Sequence, residues 1–342
     1  MLTIVDHLPP GLLEVAPLHL HDVLAGPTLI QLKGRRQTPL FISVLLHGNE
    51  ITGFLATQTL LRHYTERELP RSLSIFIGNV TAARCACRRL EGQPDYNRIW
   101  KRGEGGGGGH KGADTPEHAM AQQVLEEMRR RGAFACVDVH NNTGLNPHYA
   151  CVTQLDQRFL HLASLFSRTV VYFLRPDTVL SRAFARLCPS ITVECGQPGT
   201  DYSVSHTLEF LEACLHLSEF PTHPVAEHDI DIYHTVATVR VPATLSFGFG
   251  KCSRDLCFTH KLDHLNFREL PAGTALGRLN VPSDQYLEVL DDSGNIVTNH
   301  YFRVEDCEIR TICPVTPAMF TVDEQAIRQD CLGYFMERYS AF

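Results

Sequence analysis

Over its first 220 or so residues the chain alternates short, apolar, β-rich runs with longer amphipathic segments, and that rhythm restricts the fold to a sheet flanked by helices. Strands are expected at residues 27–32, 40–46, 73–78, 134–139, 149–153, 169–173 and 190–193, and helices at 51–64, 115–131, 156–167 and 205–217. The 115–131 segment is the clearest helix, with Pro116 and Glu117 in its first turn, Arg129, Arg130 and Arg131 in its last and Gly132 following. Phe220-Pro-Thr-His-Pro224 reads as a linker. Beyond it, the runs 235–241, 285–289, 296–298 and 309–313 are rich in Val, Ile and Thr and separated by Gly, Pro and Asp-Ser-Gly turns. Residues 1–222 therefore read as an α/β domain, and residues 223–342 as a smaller, mainly β domain closed by a helical piece around 323–339.

With 342 residues and 44% hydrophobic content, there is enough chain for two domains at roughly 150 residues each, and disorder, collagen and coiled coil are excluded. Lys and Arg number 31 against 38 Asp and Glu, a net charge of −7, so no basic field exists to hold a phosphate backbone and nucleic acid is not expected as a partner. A small anionic substrate needs only two or three local arginines and stays compatible with this balance. The 12 cysteines are scattered, without a CxxC pair, and read mostly as reduced, buried thiols of a cytoplasmic protein. The first residues lack a signal-peptide pattern, and no run of 18 apolar residues follows, so no membrane association is expected. A homo-oligomer is compatible with the sequence.

The patch Gly103–Gly112 formally satisfies GxGxxG, but it follows a polar run rather than a strand and opens no helix. It fails the Walker A pattern too, because Lys111 is followed by Gly112. A surface loop is the expected reading, with a lid over a site as the alternative.

Chemistry is concentrated where apolar runs stop. His-x-x-Glu occurs at His47/Glu50, His63/Glu66, His206/Glu209 and His216/Glu219, but only His47 and Glu50 follow a strand and precede a helix. That is where open α/β sheets place their ligands, and Gly48 is expected to let the turn bring both side chains round one ion. A second strand ends in Asp138-Val-His140, with Asp138 on the same strand face as His140 and able to orient its imidazole. His47, Glu50 and His140 make a three-ligand set that leaves a position open, as a catalytic zinc requires; the competing reading is ordinary polar strand ends. A third strand ends in Glu194-Cys-Gly196, which supplies a carboxylate outside the ligand set, suited to a general base. Arg88, Arg89, Asn97 and Arg98 lie in non-periodic sequence where guanidinium forks could clamp a carboxylate, and Arg182 and Arg186 precede Glu194.

Taken in order, His47-Gly-Asn-Glu50, Asn97-Arg98, Asp138-Val-His140-Asn and Glu194-x-Gly196 resemble the succinylglutamate desuccinylase/aspartoacylase family of zinc amidohydrolases, related to the zinc carboxypeptidases. The resemblance spans roughly residues 40–200. It implies a carboxypeptidase-like mixed sheet with a β-rich C-terminal domain that borders the active-site entrance, and one zinc per chain on His47, Glu50 and His140. Glu194 would deprotonate the attacking water and later protonate the leaving amine, and Arg89 would hold the oxyanion, with Arg88 as the alternative. Asn97 and Arg98 would bind substrate, with Arg182 preferred to Arg186 as a further substrate arginine. The implied activity is deacylation of an N-acyl amino acid such as N-acyl-aspartate or N-succinyl-glutamate. The alternatives are a metallocarboxypeptidase acting on short peptides and a non-catalytic, metal-bearing binding module.

Overall fold

The strands at the centre of the first unit are buried on both faces, as strands are when helices cover both sides of their sheet. Residues 39–44, 135–140 and 190–194 are buried throughout. The computed structural model describes residues 1–101, 115–283 and 286–339, so the Gly103–Gly112 patch and Gln285 lie outside the described residues.

Two compact units are present: one holds the chain up to Asn141, His148–Tyr172 and Pro176–Asp231, and the other holds Asn142–Pro147, Phe173–Arg175 and the chain from Ile232 onward. The first unit runs β1 (Thr3–Val5), β2 (Thr28–Leu32), β3 (Gly34–Val44), α1 (Thr52–His63), β4 (Leu69–Ile77), α2 (Val80–Arg84), α3 (Pro116–Arg131), β5 (Ala135–His140), β6 (Tyr149–Val152), α4 (Gln157–Ser164), β7 (Thr169–Tyr172), α5 (Leu180–Phe184), β8 (Ser190–Glu194) and α6 (Asp201–His216). Its strands lie side by side in the order β1-β2-β4-β3-β5-β8-β6-β7. The pairs β3/β4, β3/β5 and β5/β8 are parallel while β2/β4 and β6/β8 are antiparallel, so the sheet is mixed. β1, α2 and α5 were not anticipated from the sequence, being too short to show a period.

Period-two alternation sorts the two faces of this sheet. Phe41 of β3 and Cys136 of β5 point into a core with Phe76, Trp100, Met120, Val124, Met128 and Phe184, beneath α3 and α5. The opposite side chains, Val44 and Val139, meet Gly53 of α1, where an added Cβ would lie 2.8 Å from Val139. At the amino ends of the strands, Arg71 of β4 is buried and acts as a clamp. It donates to the carbonyls of Thr38 (2.9 Å) and Leu217 (2.7 Å), and its guanidinium lies 3.7 Å over the Phe134 ring.

The second unit contains β9 (Asp231–Arg240), β10 (Phe247–Phe249), β11 (Leu256–Phe258), β12 (Ala275–Leu279), β13 (Glu288–Asp291), α7 (Thr298–Tyr301), β14 (Phe302–Glu305), β15 (Glu308–Thr311), β16 (Thr316–Ala318), α8 (Glu324–Gln329) and β17 (Gly333–Arg338). Two local strand orders occur there, β13-β9-β17-β16 and β10-β11-β12-β15-β14. Two expectations need correction. Residues 296–298 form no strand, because Ile296 makes only an isolated bridge to Leu290 and a helical turn begins at Thr298. The C-terminal helix stops at Gln329, and Gly333–Arg338 is a strand held between β9 and β16, where tertiary pairing overrides local helical preference. Cys252 and Cys257 are disulfide-bonded, while Cys136, Cys188, Cys195 and Cys214 are buried thiols. Among the described residues no helix is long and apolar enough to cross a membrane.

Replacing Arg71 with Ala leaves the Thr38 and Leu217 carbonyls without their charged donor and opens space beside Phe134. A loss of about 2–4 kcal/mol is expected, read as a lower midpoint in urea unfolding.

Candidate metal centre and active site

The register of the central strands brings the sequence-identified polar residues to one edge. β5 and β8 pair so that His140 is opposite Glu194, on the sheet face shared by Asp138, Thr192 and Phe41. β3 ends beside them, and Leu45 adopts a left-handed conformation (φ 56°) as the chain leaves the strand for His47. Gly48 matters here for a reason other than conformational freedom. A Cβ at this position would lie 2.2 Å from the backbone of Ala82 and Ala83 in α2, so only glycine lets the loop lie against that helix. The Gly48 amide donates to the Arg88 carbonyl (3.2 Å).

His47, Glu50 and His140 are buried, with one potential ligand atom from each within 4.8 Å of the others. His47 Nδ1 is 2.7 Å from Glu50 Oε1, and His140 Nδ1 is 2.7 Å from Glu50 Oε2. The outer nitrogens are occupied as well: His47 Nε2 donates to Asp95 Oδ1 (3.1 Å) and His140 Nε2 to Asp138 Oδ2 (3.0 Å). Each ring nitrogen of the pair thus faces a carboxylate oxygen, and with Nε2 protonated toward Asp95 and Asp138 each Nδ1 turns a lone pair toward Glu50. In that tautomer a cation would be held between two imidazole nitrogens and a carboxylate. The donor set therefore fits a divalent metal with two imidazoles and one carboxylate.

The titration of these groups points the same way. Burial pushes the Glu50 carboxyl up, but the two imidazoles outweigh it and hold its pKa well below the usual range. Burial pushes the His140 imidazole down, yet Asp138 and Glu50 raise its pKa well above the usual value.

Arg88 reaches this cluster. Its Nη2 donates to Asp95 Oδ2 at 2.9 Å, and its Nη1 is 3.8 Å from Glu50 Oε1. Burial raises the Asp95 pKa, but Arg88, His47 and Arg98 together take it well below the ordinary carboxylate value. Arg89, the residue expected to hold the oxyanion, donates through Nη1 to the Gln93 carbonyl (2.8 Å). Asn97 is engaged within the protein: its Oδ1 accepts from Leu180 N (3.1 Å), its amide donates to Asp95 Oδ1 (2.7 Å), and its Nδ2 lies 3.3 Å from His140 Nε2. Arg98 donates to the Asn97 carbonyl (3.0 Å). Arg182 follows Ser181, which is bonded to Thr192 of β8 (2.9 Å), and its buried Nη1 has no hydrogen-bond partner among the described residues, whereas Arg186 is exposed. Asp95 was missed by sequence reasoning; its only signal was its place two residues ahead of Asn97 in irregular sequence.

The family model for the succinylglutamate desuccinylase/aspartoacylase catalytic domain matches residues 37–217, more than half of the chain. The chain belongs to this hydrolase family. Among solved structures, a succinylglutamate desuccinylase/aspartoacylase from Rhodobacter sphaeroides shares its fold with a TM-score of 0.58 at 16% identity, the alignment covering 90% of this chain and 88% of that one. Murine aminoacylase 3 gives 0.56 at 15% identity, with coverage of 89% and 96%. The succinylglutamate desuccinylase from Chromobacterium violaceum gives 0.56 at 15%, with coverage of 90% and 86%. A search of curated protein sequences found no match. These structures share the desuccinylase/aspartoacylase fold, a mixed α/β architecture with a smaller β-rich part.

Asp138→Ala and Asp95→Ala remove the carboxylates that face the outer nitrogens of the two rings. Each is expected to weaken divalent-metal affinity by about 10–100-fold in chelator competition. His140→Ala is expected to abolish stoichiometric uptake, measured by elemental analysis.

Proposed function

We propose that this chain is a zinc-dependent amidohydrolase that removes the acyl group from an N-acyl amino acid. The observation that carries this reading is the buried His47–Glu50–His140 cluster with Glu194 on the same sheet face, directly opposite His140 in the register. Bound zinc would supply a Lewis acid for the acyl oxygen and lower the pKa of a coordinated water. Glu194, at the end of a buried strand, takes a proton from the attacking water and returns it to the departing amine nitrogen, so the amide bond breaks with no net change in the protein. Arg88 faces the cluster from α2's side of the site and is the guanidinium best placed to stabilise negative charge on the acyl oxygen. Arg182 has an uncommitted buried N–H suited to a substrate carboxylate, and Arg98 is the second candidate for that role. Asn97 acts chiefly by holding the Asp95–Arg98 loop against α5 and His140.

Glu194→Ala is expected to abolish turnover of N-acyl-aspartate and N-acyl-glutamate while the protein still binds one zinc; full activity would refute the assignment. The same panel should include short peptides, because their preferential cleavage would favour the carboxypeptidase reading. Arg88→Ala is expected to lower kcat/KM by about 10²–10³-fold. A larger loss in Arg89→Ala would reverse the order of the two arginines.

A further inference from the structure

The turn that follows Glu194 has no metal ligand, yet it is tied to the metal cluster through one buried side chain. Asn141 directly follows His140 and is 3% exposed. Its backbone amide donates to Glu50 Oε2 (3.2 Å), the oxygen that also faces His140 Nδ1. Its side chain continues in two directions: Oδ1 accepts from the Thr52 amide at the start of α1 (3.1 Å), and Nδ2 donates to the Gly196 carbonyl (2.9 Å). Thr52 closes a second link, since its hydroxyl accepts from the Gly199 amide (2.9 Å). Gly196 is left-handed (φ 66°) and packs near the His148 ring, to which an added Cβ would come within 3.2 Å.

The geometry points to Asn141 as a positioning residue that couples metal occupancy at Glu50 to the placement of the Glu194–Gly199 turn. A metal that draws in the Glu50 carboxylate fixes the hydrogen bond from the Asn141 amide, and the Asn141 side chain passes that constraint to the helix start and to the carbonyl two residues past the general base. The base is thereby ordered when the ion is present. Asn141 touches neither the ion nor the scissile bond, so its effect is exerted through Glu50 and Gly196. The inference rests on the proposed hydrolase reading only for its kinetic consequence.

The test is amide hydrogen exchange on the full chain, metal-free and after addition of zinc sulfate, following peptides that span residues 195–200. In the wild type, zinc is expected to slow exchange in this turn although no ligand lies in it. Asn141→Ala is expected to retain one zinc and lose that zinc-dependent slowing, with kcat about 10–100-fold lower and KM little changed. Asn141→Asp retains the acceptor for Thr52 and lacks the donor for Gly196, so it should lose the slowing as well. If the alanine variant does not fold, the aspartate variant and Thr52→Val decide the matter. Unchanged zinc-dependent protection of the turn in the Asn141 variants overturns the inference, as does a wild-type turn indifferent to zinc. Wild type that shows the zinc-dependent slowing but hydrolyses no N-acyl amino acid refutes the hydrolase reading and leaves the coupling intact. Wild type that binds no zinc overturns both.

Discussion

Two imidazole nitrogens and two carboxylate oxygens face one another around Glu50, and much of the surrounding structure serves that confrontation. Glu50 accepts from the Asn141 amide and lies near the Arg88 guanidinium, yet both imidazoles also point a nitrogen at it. Asp138 and Asp95 hold the outer nitrogens of the two rings. Three carboxylates around two imidazoles make a donor set that suits a divalent cation.

The sheet supplies the precision that such a site needs. His140 and Glu194 close adjacent parallel strands in register, so their relative position is fixed by backbone hydrogen bonds instead of by loop conformation. β3 delivers the His47 loop alongside, and α2 holds that loop from outside through its contact with Gly48. Arg88, just beyond α2, ties the same loop to Asp95. The arginine therefore has a structural bond and a charge available to the site at once.

The sequence made the strand ends legible because an apolar run interrupted by His, Asp or Glu is costly unless the polar group has a partner. His47, Glu50, Asp138, His140 and Glu194 all carry that signal, and so do the boundaries of most elements in the first unit. Legibility fails in irregular backbone. Ala86 is left-handed (φ 48°), and which of Arg88 and Arg89 faces inward depends on the path that follows it, which no periodicity encodes. Asp95 lies in the same kind of sequence. Gly48 was legible as a constrained position, but the cause is a neighbouring helix seen only in three dimensions. In the second unit, short strands and turns leave little periodic signal, and residues 333–338 take their conformation from the strands on either side.

The register that sets His140 beside Glu194 also bears on the order in which the protein acquires its parts. His140 and Glu194 end strands far apart in the chain while His47 and Glu50 follow β3, and the pairing of β3, β5 and β8 is supported by a core of Phe41, Phe76, Trp100 and Phe184. The ligands meet only after these non-local strands have paired, a slow step for any chain of this topology. On the proposed reading, an ion would reach a sheet already held together by its own apolar core, and the supply of metal would bear on when the molecule becomes competent more than on whether it folds.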